Sequence, residues 1–181
     1  VDLNNVKHIL NYMEKNFSEL YSHSERTALL CYVLAKELKL PYDEVESCYV
    51  AGLLHEIGKL YISKEVKIKE GLIIDSNDIY SKFTNCILKN YEEFETVENI
   101  ITQHQENFDG SGIPGDFKED DISILSIILR ICDFYDTYKM EGLIHEDITK
   151  LLRKNSNIIF PNKIITPFIK SILKNELKGF E

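Results

Sequence analysis

Residues 121–138 constrain this chain more than any other stretch. Ile122, Ile124, Leu125, Ile127, Ile128, Leu129, Ile131 and Phe134 make the segment apolar nearly all round. A helix of that character is central and buried. Ser123, Ser126, Arg130, Asp133 and Thr137 interrupt it at intervals of three and four, so they share one face. Polar groups on a buried face must meet polar partners. The fold must therefore pack other helices around this one and bring polar side chains to its stripe.

The natural partner is Leu53-Leu54-His55-Glu56-Ile57-Gly58-Lys59, where an adjacent imidazole and carboxylate sit inside an apolar run. Burying the two together is costly unless something satisfies them. A metal ion is the simplest single answer, because neutral imidazole and carboxylate oxygens both ligate. Three further segments carry groups of the same kind. His23 lies in Ser22-His23-Ser24-Glu25-Arg26, and Asp133 in Arg130-Ile131-Cys132-Asp133-Phe134. His104 opens the run Gln105-Glu106-Asn107-Phe108-Asp109-Gly110-Ser111-Gly112-Ile113-Pro114.

Helical periodicity dominates the rest. Helices are expected over 4–17, with Val6, Ile9, Leu10 and Met13 on one face, and over 24–38, with Ala28, Leu30, Cys31, Leu34, Ala35 and Leu38 inward. A third is expected over 42–57, started by Pro41 and stopped by Gly58, which puts His55 and Glu56 in its last turn. Others are expected over 76–88, 94–105 and 121–138. The stretch 145–177 reads as helical with Pro161 and Pro167 as punctuation, 61–75 as mixed, and 109–117 as a Gly/Pro/Asp loop. The expectation is an all-α, single-domain bundle over 1–181 with about seven to nine helices.

Bulk properties narrow the function. The chain has 181 residues, 44% of them hydrophobic, and a formal net charge of -9. That charge gives no non-specific hold on nucleic acid or an anionic membrane. A small anionic ligand therefore needs a local positive site, most simply a metal. Cys31, Cys48, Cys86 and Cys132 form no CxxC spacing and read as reduced core residues of a cytoplasmic protein. No apolar run reaches the roughly 18 residues of a membrane span, and no signal peptide is expected. With Val1 at its start, the reading leaves room for a longer chain carrying an N-terminal sensor or receiver module.

The order of these motifs, from about Glu19 to Asp136, resembles the HD superfamily of metal-dependent phosphohydrolases, and within it the HD-GYP branch. His55-Glu56-Ile57-Gly58-Lys59 is similar to that branch's His-Asp-Ile-Gly-Lys, and His104 to Pro114 to its His-His-Glu-x-x-Asp-Gly-x-Gly-Tyr-Pro. The resemblance implies an HD-type helical bundle. It implies a metal held by His23, His55, Glu56 and Asp133, with His104 as a further ligand. Fe or Mn is favoured, with Mg or Zn as alternatives, and one ion rather than two. Lys59 is implied as the catalytic cation and phosphate contact, with Asp109, Gly110, Gly112 and Lys139 beside it in substrate binding.

Several positions depart from the family pattern. Glu56 stands for Asp, and Gln105 for the second His of the double His. Thr84 aligns with a ligand His, and Ile113 with the Tyr. The basic Arg-Pro-Tyr-Arg segment is absent, and Asp136-Thr137-Tyr138-Lys139-Met140-Glu141-Gly142 follows the last ligand. Glu19, four residues before His23, reads either as a further ligand or as an exposed helix-start carboxylate.

Each residue also has a plainer reading. His23 suits a helix-start surface position, and His55-Glu56 a core ion pair. Asp133 suits a partner for Arg130, His104 a helix end, and Lys59 a solvated cation. His8 and His145 read as surface residues, and Glu119-Asp120-Asp121 as a solvated helix start. Two functions follow. The first is a divergent metal-binding phosphohydrolase or phosphodiesterase, weak or altered, acting on a nucleotide, with cyclic di-GMP as the first substrate to try. The second is an inactive HD-GYP-like signalling module that senses a ligand or docks a partner protein.

Overall fold

The computed structural model describes residues 4, 6–61 and 76–176. Among them there are eight α-helices and no strand: α1 Lys7–Asn16, α2 Ser18–Glu37, α3 Tyr42–Leu54, α4 Ser76–Leu88, α5 Glu95–Gln103, α6 Ile124–Met140, α7 His145–Lys154 and α8 Asn162–Glu176. Short 3-10 turns cover Ile57–Tyr61, Glu92–Phe94 and Glu119–Asp121. The all-α expectation holds. The mixed segment expected over 61–75 lies outside the described residues apart from Tyr61. None of the described helices is long and apolar enough to cross a membrane.

The helix expected to be central is central. On α6, Ile128, Leu129, Ile131 and Cys132 are fully buried, with α2, α3 and α5 packed around it. The backbones of α2 and α3 approach closely at Gly52. A Cβ there would lie 2.5 Å from Ala28 Cα and 2.8 Å from Ala28 N. Only a residue without a side chain lets the two backbones come so near. Gly52 thereby brings His23 on α2 close to His55 at the end of α3.

Several boundaries differ from the sequence reading, each for a local reason. α2 begins at Ser18, with Phe17 as its N-cap residue and Glu19 in its first turn, where negative charge suits the helix dipole. His23 therefore lies inside a helix and not ahead of one. α3 stops at Leu54 with His55 as its C-cap. Gly58 does not end it, because the chain tightens into the 57–61 turn and Gly58 N donates to Thr84 Oγ1 at 2.9 Å. α5 ends at Gln103, with His104 as its C-cap. Ser123 is the N-cap of α6, accepting from Leu125 N, and not a member of the helical stripe.

The C-terminal stretch is two helices. Pro167 lies inside α8 and does not break it. Cys86 is exposed and only Cys31, Cys48 and Cys132 are core thiols, because α4 turns that side of its surface outward. His145 is half-buried and not a surface group; its Nδ1 lies 3.1 Å from the Tyr135 hydroxyl. His8 is exposed and Glu119-Asp120-Asp121 forms an exposed turn ahead of α6, as expected.

Candidate metal centre

Four segments converge on the polar stripe of α6. His23 comes from α2, His55 and Glu56 from the end of α3, His104 from the end of α5, and Asp133 from α6 itself. Asp133 Oδ1 lies 3.2 Å from His23 Nε2 and 3.7 Å from His55 Nε2, and His55 Nε2 lies 3.8 Å from Glu56 Oε1. Ligand atoms of His23, His55 and Glu56 all fall within 4.8 Å of one another. The imidazoles stand edge to face, with centroids 5.4 Å apart for His23 and His55 and 5.9 Å for His55 and His104.

Each imidazole is held from behind. His55 Nδ1 donates to Gly52 O at 2.8 Å and His104 Nδ1 to Ile101 O at 2.6 Å. Those two bonds place the proton on Nδ1 and leave Nε2 with a lone pair aimed inward. His55 Nε2 is buried and has no hydrogen-bond partner. An orphaned acceptor of that kind, facing two carboxylates and a second imidazole, suits a divalent cation. His23, His55, Glu56 and Asp133 therefore fit the ion that the sequence implied. Asp133 turns to the histidines and makes no ion pair with Arg130 among the described residues.

His23 is held by a carboxylate, its Nδ1 2.7 Å from Asp136 Oδ2. Arg26 fixes Asp136 through two bonds, Nε to Oδ1 at 2.7 Å and Nη2 to Oδ2 at 2.9 Å. The sequence reading missed both roles. Its available signal was the spacing, since Asp136 follows Asp133 by one turn of α6 and Arg26 follows His23 by one turn of α2. Asp136→Asn keeps the shape and removes the charge. We expect the number of bound metal equivalents to stay the same while affinity falls on the order of 10–100-fold, as read by competition with a chelator.

The electrostatics separate the histidines. Burial works against a charge on His23, but the bonds to Asp133 and Asp136 outweigh it and push the imidazole up to about 9. Burial, aided by the nearby His55, draws His104 down to about 4, so it is neutral at neutral pH. Burial acts to raise Asp133, yet His23 and His55 hold it well below the usual carboxylate range. Because His23 must lose its proton to ligate, apparent metal affinity is expected to rise about tenfold per pH unit between roughly 7 and 9 and to level off above. Titration of the metal-free protein with Mn(II) at a series of pH values checks this; a flat profile would remove His23 from the ligand set.

In front of the histidines opens a cavity of about 860 Å³. Its walls include Glu19, His23, Arg26, Glu56, Lys59, Gln105, Arg130, Asp133, Phe134 and Tyr138. His55 and His104 are buried behind it. Lys59 ion-pairs with Glu56 at the rim. Phe134 and Tyr138 form an aromatic wall, ring centroids 4.6 Å apart.

The remaining expected site residues lie elsewhere. Asp109, Gly110, Gly112 and Lys139 are not among the described residues that line the cavity. Asp109 is exposed and accepts from Ser111 N at 2.9 Å and Ser111 Oγ at 2.6 Å, the bonding of a self-contained turn. A Cβ on Gly112 would collide with the backbone of Asn107 and Glu106, so this glycine lets the loop fold back on itself. Glu106, which the sequence reading passed over, anchors that loop. Its buried carboxylate accepts from Gly115 N at 3.0 Å, Asp116 N at 2.8 Å and Phe117 N at 3.3 Å. Thr84 is buried and structural. Its hydroxyl donates to His55 O at 3.3 Å while accepting from Gly58 N.

An all-α bundle with a histidine–carboxylate centre drawn from separate helices defines the class of the protein. Residues 7–150 match the family model described as HD domain, and the chain belongs to that family. It is 27% identical over 163 residues to the cyclic di-GMP phosphodiesterase PA4108 of Pseudomonas aeruginosa, covering 84% of this chain and 39% of the relative. It is 29% identical over 123 residues to the 3'3'-cGAMP-specific phosphodiesterase 3 of Vibrio cholerae, covering 66% of this chain and 27% of the relative. The chain thus spans well under half the length of these two proteins. Its fold matches the HD domain of the L. monocytogenes phosphodiesterase PgpH, solved in complex with cyclic-di-AMP. The TM-score there is 0.68 at 16% identity, covering 95% of this chain and 96% of that one. The resemblance drawn from the motifs holds in this frame: the chain is an HD domain, and the relatives it is similar to are named as cyclic-dinucleotide phosphodiesterases.

Proposed function

We propose that this chain hydrolyses a phosphodiester bond of a cyclic dinucleotide with the help of one divalent metal ion. The observation that carries the reading is the buried, unpartnered His55 Nε2. It faces His23, Glu56 and Asp133 beneath a cavity of about 860 Å³. Those four residues would hold the ion, Fe or Mn by family resemblance. A divalent ion supplies Lewis acidity toward a phosphoryl oxygen and lowers the pKa of a bound water.

The chain's own groups do the rest. The Nδ1 bonds of His55 and His23 fix ring orientation, so ligation takes a proton from His23 and requires neither ring to turn. Lys59, already at the rim, offsets charge that develops on the phosphate. Phe134 and Tyr138 offer faces on which a base can stack. Relatives and neighbours named for cyclic di-GMP, 3'3'-cGAMP and cyclic-di-AMP support a cyclic dinucleotide as the substrate class and leave the bases open.

The test is elemental analysis after anaerobic reconstitution with Fe(II) and with Mn(II), followed by assay of the loaded protein on the three cyclic dinucleotides. About one equivalent of metal and cleavage of at least one of them is the expected result. Two equivalents would mean that Gln105 or another group completes a second site. No metal and no cleavage would sink the enzyme reading and favour a ligand-sensing or protein-docking module.

A further inference from the structure

We infer that Arg130 is a phosphate anchor, a fixed guanidinium that grips a phosphoryl group of the ligand from the α6 wall of the cavity. The inference rests on the hydrolase reading above and names a group in that site which neither the motifs nor the metal ligands account for. Besides His23, whose charge is lost when it ligates, three cationic side chains line the cavity among the described residues: Arg26, Lys59 and Arg130. Arg26 commits Nε and Nη2 to Asp136, and Lys59 is paired with Glu56. Arg130 Nε, by contrast, is buried with no hydrogen-bond partner. No carboxylate of the described residues lies within ion-pair distance of its guanidinium, since Asp133 turns to His23 and His55.

A largely buried guanidinium without a partner is costly for a fold to keep. Burial draws its pKa down while Asp133 and Tyr138 hold it up, and arginine stays charged across the range in which proteins are folded. Its charge also bears on His104, helping to keep that ring neutral. The group is therefore a permanent cation standing beside the metal centre. A planar fork of N–H donors matches a phosphoryl group in two-point contact, and the cavity is open in front of it.

Position on the helix adds a second argument. Phe134 and Tyr138 follow Arg130 by four and eight residues on one stripe of α6. At helical rise they lie roughly 6 and 12 Å further along the axis. A phosphate held at Arg130 would leave the base it carries over the Phe134–Tyr138 wall. Together these groups fit a nucleotide laid along α6.

The test measures binding of inorganic phosphate by calorimetry to wild-type protein, Arg130→Met and Arg130→Lys, each metal-free and Mn(II)-loaded. Bound Mn(II) is counted in parallel. In the loaded protein we expect Arg130→Met to weaken phosphate about 10–100-fold with Mn(II) stoichiometry unchanged, and Arg130→Lys to recover part of the loss. In Arg130→Ala, added guanidinium ion should restore phosphate binding, which a merely structural role would not allow. Equal phosphate affinity in Arg130→Met and wild type would overturn the inference, as would loss of Mn(II) from Arg130→Met. Should the methionine variant fail to fold, the lysine variant carries the same comparison. If wild type takes up neither Mn(II) nor Fe(II), the hydrolase reading fails on its own, and the metal-free series then decides. Phosphate bound by wild type and lost in the variants supports Arg130; equal or absent binding overturns it.

Discussion

A His55→Asn variant is expected to fold and to bind no metal. Asparagine presents an N–H close to where His55 Nδ1 donates to Gly52 O at 2.8 Å, so the buried carbonyl keeps its partner. It offers nothing in place of Nε2, the atom that is buried and unpartnered in the native protein. Metal content should fall from about one equivalent to none. Turnover of any cyclic dinucleotide that the wild type cleaves should fall on the order of 10³-fold or more, since the ion supplies several kcal/mol of transition-state stabilisation. Elemental analysis together with circular dichroism separates loss of the ion from loss of the fold. A folded His55→Asn protein that keeps its metal would show that the ion sits elsewhere.

The second large effect lies away from the ligands. Gly52→Ala would place a methyl group 2.5 Å from Ala28 Cα and 2.8 Å from Ala28 N. Both contacts are backbone, so no side chain can swing aside and α2 must part from α3. Overpacking of this kind costs about 3 kcal/mol. For a chain of this size that is a drop in Tm of about 10 °C. The displacement also separates His23 from His55, because one rides on each helix. Metal affinity should therefore fall in a variant that touches no ligand. A Gly52→Ala protein that melts within about 1 °C of wild type would mean the two backbones can part without cost.

Much of this is legible in the residues, and the reasons for the rest are physical. The apolar spacing and flanks of 76–88 define α4 at both ends. The buried character of α6 is evident because no other arrangement hides so many isoleucines and leucines. His23, His55, Glu56, His104 and Asp133 do come together, as the motif order implied. What escapes a linear reading are groups whose roles are tertiary. Asp136 looks like one carboxylate among many in an acidic chain, and its partner Arg26 is 110 residues away. Glu106 acquires its role only when the loop returns its backbone N–H groups to it. Helix ends shift from their expected places where side chains compete with periodicity, as at His55 and His104, whose rings bond back to the preceding turn.

Of the proposed ligands, His23 lies in α2, Asp133 in α6 and His55 at the cap of α3, with long stretches of chain between them. An ion held there works as a cross-link as well as a reagent. It would close loops that the unfolded chain leaves open, and its ligand set exists only in the folded form. At a hundredfold excess over its dissociation constant, such a ligand adds about 2.7 kcal/mol to the folded state. The half-life of this protein in a cell would then track the supply of its metal. Starvation for that ion would remove the molecule by proteolysis as well as silence it.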